Sequence, residues 1–418
     1  MADIFRGDDD DVVVGTQGAD SIRGGGGDDD INGLGGDDEI DGGDGDDRLR
    51  GGSGDDTIFG GGNGADSLEG GSGDDRLEGD VNDDTLVGGT GADFLRGGTG
   101  ADLLSGGDDG DTLEGGGDGD RVFGGGEDDR VVWRAGDGED EIDGGDGDDT
   151  LEANGFATAD GLFSLGEEDG GRLVFELRER TAMAPFPLDA RLDELDNLEA
   201  VELLAGTGDD SFSIGPIAAG SLTSIRISGR AGDDSVFGGG EPLDPDRNEA
   251  PIDFFGGIGD DFAIGSFGDD TLDGGFDDDR LNGEVGNDLL IGDNGNDVLD
   301  GGFNGMDTLD GGNGSDQMTG GARDGPDTFR FRFGVAQGVD DITDFETEDR
   351  IELFGVTEDQ LDSNGDGVLD NADDAVFAGF GTLQISGFFP LTGTLRVAGF
   401  GGADVDSLVI GDDVFFFA

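Results

Sequence analysis

The sequence predicts an all-β solenoid, and three observations carry that expectation. A nine-residue pattern recurs along more than half of the 418 residues. A bulky apolar residue returns once in each nonapeptide. Glycine (92 residues) and acid (103 Asp and Glu) keep fixed phases within it. Self-similarity at a fixed short period is the mark of stacked repeat architectures.

The first array runs from about residue 6 to 152 as GGxGxDxUx, where U is apolar; GGDGDDRLR at 42–50 and GGSGDDRLE at 70–78 are clean copies. The U positions step by nine from Val13 to Leu151, apart from one step of ten and one of eleven. Glycine lets GGxGxD turn through positive φ without a steric penalty. The following x-U-x reads as a three-residue strand that points U to one side. Two nonapeptides close one turn of about 18 residues, and turns stack at roughly 4.8 Å. A second array spans about 256–330, for example GSFGDDTLD at 265–273, and two isolated copies at 205–213 and 229–237 lead into it.

Composition narrows the chemistry. The formal net charge is -81, and all 22 basic residues are arginine. Cysteine, histidine, tyrosine and lysine are absent. This excludes disulfides, thiolate nucleophiles, HExxH zinc sites, Ser-His-Asp triads, and Schiff-base or P-loop lysines. An acidic chain lacks the basic stripe that nucleic acid needs, and an anionic membrane repels it. One apolar residue per unit is a thin core, and aspartates aligned along each edge repel unless a cation lies between turns. Calcium suits them: it takes six to eight oxygens, and carboxylates and turn carbonyls are both at hand. A saline habitat would also favour acid over lysine, but it sets no nine-residue register.

These arrays resemble the repeat-in-toxin (RTX) calcium-binding β-roll family. The resemblance implies a right-handed parallel β-roll with many calcium ions, held between turns by backbone carbonyls and position-six aspartates. In the first array these are Asp11, Asp20, Asp29, Asp38, Asp47, Asp56, Asp66, Asp75, Asp84, Asp93, Asp102, Asp111, Asp120, Asp129, Asp140 and Asp149. The isolated copies supply Asp210 and Asp234, and the second array Asp261, Asp270, Asp279, Asp288, Asp297, Asp307, Asp316 and Asp327. GDVNDDTLV at 79–87 lacks its second and fourth glycines, and Asp109 replaces a glycine at 106–114. Weaker or empty sites are expected near both.

Residues 153–255 form an irregular insert between the arrays. RLVFELRER at 172–180 alternates as a strand does, APFPL at 184–188 reads as a loop, and LDELDNLEAVELL at 192–204 reads as a short helix or further coil. Similar inserts in RTX proteins favour coil. EPLDPDRNEAP at 241–251 is a loop. Residues 331–418 are expected to cap the roll. The segment 327–356 alternates apolar and polar residues and resembles the aromatic ending of secreted RTX rolls. Within this cap, DSNGDGVLDNADD matches an EF-hand loop. Asp362, Asn364 and Asp366 supply side-chain oxygens, Val368 a carbonyl, Asp370 the ninth position, and Asp373 stands where a bidentate Glu is usual.

The N-terminus lacks the basic and apolar regions of a secretory signal, and no 18-residue apolar run predicts a membrane helix. The tail DSLVIGDDVFFFA resembles the uncleaved signal of type I secreted proteins. The expectation is a secreted, calcium-gated structural protein outside the cell or on its surface. It would pass the type I secretion machinery unfolded and self-assemble into a homo-oligomer, filament or surface layer. Repeats beginning at residue 6 leave little room for a catalytic domain, so no enzyme is expected. The alternatives are an adhesin or an acid-residue glycan hydrolase or lyase.

Overall fold

The computed structural model describes residues 3–155 and 248–321 continuously. It also describes 161–168, 172–179, 189–215, 217, 222–238, 325–332, 339–344, 349–354 and five backbone strands among the last 43 residues. Every regular element among the described residues is a strand; none is a helix long and apolar enough to cross a membrane. The chain packs into two compact units. One is Met1–Phe156 with Leu162–Leu204 and Ser221–Thr223; the other is Ala157–Gly161 with Ala205–Gly220 and Ser224–Ala418.

In the first unit consecutive strands alternate between two parallel sheets, and each strand pairs with the next but one in sequence. Arg48–Ser53, Ser67–Ser72, Thr85–Thr90, Leu103–Asp108 and Arg121–Gly126 stack in one sheet. Ser21–Gly26, Glu39–Asp44, Thr57–Asn63, Arg76–Val81, Phe94–Thr99 and Thr112–Gly117 stack in the other. Like pairs with like across each step: Leu68 with Leu86 and Leu86 with Leu104 in one sheet, Leu77 with Leu95 and Leu95 with Leu113 in the other. The U residues from Val13 to Leu151 are all at most 2 % exposed, forming a narrow core between the sheets.

The strands are longer than the sequence reading expected. They are mostly six residues in this unit and take x-U-x together with the next Gly-Gly-x, as in RLRGGS at Arg48–Ser53. The reason is that the position-one glycine continues the strand with its α-carbon facing inward. Only positions two and four, as at Gly52 and Gly54, take the left-handed conformation. The ten-residue step is absorbed by a register shift between Gly43 and Asp44 opposite Thr57–Asn63.

Segment 192–204 resolves into strands, not a helix. Asp189–Asp196 lies antiparallel to Arg172–Glu179 and parallel to Glu141–Asp146, and Ala200–Leu204 lies parallel to Thr150–Asn154. Trp133 and Phe175 meet edge to face there, with ring centroids 5.5 Å apart.

The second unit repeats the plan. Ile252–Ile258, Thr271–Phe276, Leu289–Asn294, Thr308–Asp310, Thr328–Arg332 and Arg350–Phe354 form one parallel stack. Phe262–Ile264, Arg280–Asn282, Val298–Asp300, Gln317–Thr319 and Val339–Ile342 form the other. The coil therefore runs on past residue 330, where Phe329 pairs with Ile351 and Met318 with Ile342, all four fully buried. Beyond it, the backbone strand Thr394–Ala398 pairs parallel with Val339–Ile342.

Candidate metal centre

Within the arrays each coil turns at two corners, and each corner ends on a position-six aspartate. From Asp20 to Asp327 all of these are buried; Asp11, in the first corner, is half-buried. A side chain with this register but no charge would have served a core equally well, so buried carboxylates need a partner.

Along the ladders, half of each carboxylate has a protein partner. Oδ1 accepts the amide of the position-six residue one coil earlier: Asp66 N–H donates to Asp84 at 2.7 Å, and Asp84 N–H donates to Asp102 at 2.7 Å. Two such ladders run through the first unit. One links Asp11, Asp29, Asp47, Asp66, Asp84, Asp102, Asp120 and Asp140. The other links Asp20, Asp38, Asp56, Asp75, Asp93, Asp111, Asp129 and Asp149, and ends where Asp149 N–H donates to Glu199 at 2.9 Å.

In the second unit Asp210, Asp234, Asp261, Asp279, Asp297 and Asp316 form one ladder that finishes on Asp340. Asp270, Asp288, Asp307 and Asp327 form the other and finish on Asp349.

The other half of the carboxylate is left over. Oδ2 is buried without a hydrogen-bond partner at every register position from Asp29 to Asp129, and at Asp149, Asp234, Asp261, Asp279, Asp288, Asp297 and Asp316. It does not face empty apolar space. A Cβ placed on the position-one glycine would meet it together with a main-chain oxygen of the next coil: for Gly70 these are Asp75 Oδ2 and the Gly88 carbonyl, the latter 2.8 Å away. The position-one glycine is therefore required by the oxygens that crowd it, not by its own φ.

Electrostatics tell the same story. Burial, with the neighbouring aspartates adding, pushes Asp47, Asp56, Asp75, Asp84 and Asp111 up to about 7. Asp120, Asp234 and Asp279 are pushed to about 8, and Asp288 to about 9. The ladder amide pulls each of them the other way, but burial wins. A cation beside Oδ2 would supply the opposite charge that these groups need to ionise.

Oxygen is the only donor type in these corners. Among the described residues no three acid side chains converge on one point, so the side chains alone make no metal cage. A cation here would draw on one buried carboxylate oxygen per corner together with main-chain carbonyls. That mixture suits calcium, which accepts neutral and anionic oxygens in flexible geometry.

The irregular units keep their corners. Asp80 and Asn82 take the place of glycines with φ of 82° and 78°, and Asp109 does so at 76°. Asp84 and Asp111 beside them still carry an unpartnered Oδ2.

Three groups of residues escaped the sequence reading. Position-five acids build a second ladder that runs the opposite way: Asp46 N–H donates to Asp28 Oδ1 at 3.0 Å, and Asp74 N–H donates to Asp55 Oδ1 at 3.1 Å. The signal was the recurrent Asp-Asp doublet. Asp340 and Asp349 continue the buried ladders without any glycine pattern; what survives is Asp-x-U, as DDI at 340–342 and DRI at 349–351. Glu199 closes a ladder with no signal of its own. The EF-hand-like loop, with Asp362, Asn364, Asp366, Val368, Asp370 and Asp373, lies outside the described residues.

The profile of the RTX calcium-binding nonapeptide repeat matches residues 5–40, 32–63, 60–95, 96–131, 134–157, 226–241, 255–290, 276–305 and 302–322. That is more than half of the chain. The chain belongs to the RTX calcium-binding repeat family. Among solved structures it is similar to the extracellular lipase LipA from Serratia marcescens, at 16% identity over 83% of this chain, with a TM-score of 0.16. It spans 40% of that lipase's length. No curated protein sequence matches it. This RTX chain thus joins the family's calcium-binding repeats to a parallel β-solenoid whose corners present buried oxygen.

Proposed function

We propose that this RTX chain is a secreted structural protein that calcium switches from an extended polyanion to a folded β-roll, which then self-assembles outside the cell or on its surface. The observation that carries the reading is the file of buried, unpartnered Oδ2 atoms from Asp29 to Asp129. Each carries a desolvation cost at neutral pH that a bound cation would offset. Where calcium is scarce, a net charge of -81 opposes compaction and keeps the chain threadable through the type I secretion machinery. Where calcium is abundant it binds folded and not unfolded chain, and mass action drives folding. The position-six aspartates and the carbonyls of the next coil would hold the ions, many per chain.

No catalytic role is assigned to the position-six aspartates, because their Oδ1 atoms and amides are committed to the ladders. Self-assembly rests on a general property of stacked coils, since an uncovered parallel strand edge accepts further strands. Sedimentation velocity of the purified chain across a calcium titration tests both steps. A drop in frictional ratio followed by calcium-dependent growth in mass is expected. An unchanged frictional ratio between chelator and millimolar calcium would refute the switch, and a folded chain that stays monomeric would refute the assembly.

A further inference from the structure

We infer that Thr16 and Ser266 mark coil corners that fold without calcium, and that the backbone handedness of position two decides which corners take an ion. This rests on the calcium reading above. In GTQGAD at 15–20 and GSFGDD at 265–270, position two holds a hydroxyl residue in place of glycine. Neither Thr16 nor Ser266 adopts positive φ, whereas position-two glycines such as Gly25, Gly43, Gly71 and Gly275 do, at 114°, 112°, 120° and 103°.

The consequence falls on the aspartate four residues later. Thr16 N–H donates to Asp20 Oδ2 at 2.6 Å, and Ser266 N–H donates to Asp270 Oδ2, also at 2.6 Å. At Asp270 the second oxygen is occupied too, by the Ser266 hydroxyl at 2.8 Å and the Ile252 amide at 2.7 Å. The oxygen left for a cation elsewhere is here taken by an amide proton. An amide also offers no full charge, so the corner closes without one.

Residue identity alone does not explain this. Leu34, Asp80, Arg230, Glu284 and Asp293 also replace the position-two glycine, yet they hold φ between 63° and 82°. The aspartates that follow them, Asp38, Asp84, Asp234, Asp288 and Asp297, keep an unpartnered Oδ2. What distinguishes Thr16 and Ser266 is a hydroxyl that accepts the amide two residues on, from Gly18 at 3.3 Å and Gly268 at 2.9 Å. That local hydroxyl turn holds the peptide in the ordinary hand and aims its N–H inward.

The test is calcium bound per full-length chain, by equilibrium dialysis at saturating free calcium, on four proteins. Ser266→Gly frees Asp270 Oδ2 and should raise the count by about one ion, whereas Ser266→Thr should leave it unchanged. Gly275→Ser installs the same turn before Asp279 and should lower it by about one. Counts for Ser266→Gly and Gly275→Ser equal to the wild type overturn the inference. If Ser266→Gly does not fold, Gly275→Ser decides alone by the same criterion. A wild-type chain that takes up no calcium overturns instead the calcium reading on which the inference stands.

Discussion

Asp84, midway along its ladder, lets the two oxygens of one carboxylate be separated. Its Oδ1 accepts the Asp66 amide at 2.7 Å, and its Oδ2 is buried and unpartnered. Asp84→Asn keeps an oxygen for the ladder and replaces the anionic Oδ2 by an amide group. Asp84→Ala removes both and strands the buried Asp66 N–H. Stranding a buried donor costs about 1–3 kcal/mol, so alanine should be worse than asparagine by that amount. At 1.36 kcal/mol per decade this is roughly a 5- to 150-fold difference in local opening.

Hydrogen exchange read by mass spectrometry on peptides covering residues 60–85, in saturating calcium, reports it directly. The expected order of protection is wild type, then asparagine, then alanine. Equal exchange in asparagine and alanine would show that the Oδ1 ladder contributes nothing. Asparagine more protected than wild type in calcium would show that Oδ2 does not hold the ion.

Other consequences follow from neighbouring features. Leu86 is fully buried between Leu68 and Leu104, so Leu86→Ala should cost about 2–5 kcal/mol, seen as faster exchange in those three coils while distant coils stay protected. Gly70→Ala puts a methyl group against Asp75 Oδ2 and the Gly88 carbonyl and should lower the calcium count without changing other corners, checked by equilibrium dialysis.

The raised aspartates make the calcium-free coil bind protons more tightly than the unfolded chain. Its stability should therefore rise as pH falls from about 8 toward 5, because Asp84 and Asp111 titrate near 7 and Asp120 and Asp279 near 8 when folded, against 3.8 unfolded. Circular dichroism in chelator should show β signal growing across that window, and calcium affinity should weaken over the same range as protons compete. No gain in β signal would count against the burial of these groups.

Much of the coil was legible because one residue type did one job at each phase. Leu68, Leu86 and Leu104 announced the core, and Asp66, Asp84 and Asp102 the buried column, since a nine-residue register leaves little else to vary. The length of the strands was not legible, because glycine at position one signals a turn by composition yet extends the strand for lack of space beside Asp75. Asp340 and Asp349 were hidden for a different reason: Val335 and Asp344 stand where the position-one glycine flagged the other aspartates, so only Asp-x-U remains to mark them. The position-five ladder was hidden because a second acid in an acidic chain carries no contrast.

The two-sheet alternation has a genetic corollary. Because a strand pairs with the next but one, removing the eighteen residues around Leu86 would stack Leu68 on Leu104 in phase, duplicating them would add one coil, and either change would leave the ladders continuous. Removing nine would exchange the faces: the outer fringe of Arg50 and Glu69 on one sheet would be set against that of Arg76 and Glu78 on the other, ion pairs included. Length in this molecule can therefore drift in steps of a whole coil at little cost, while half-steps reshuffle its surface.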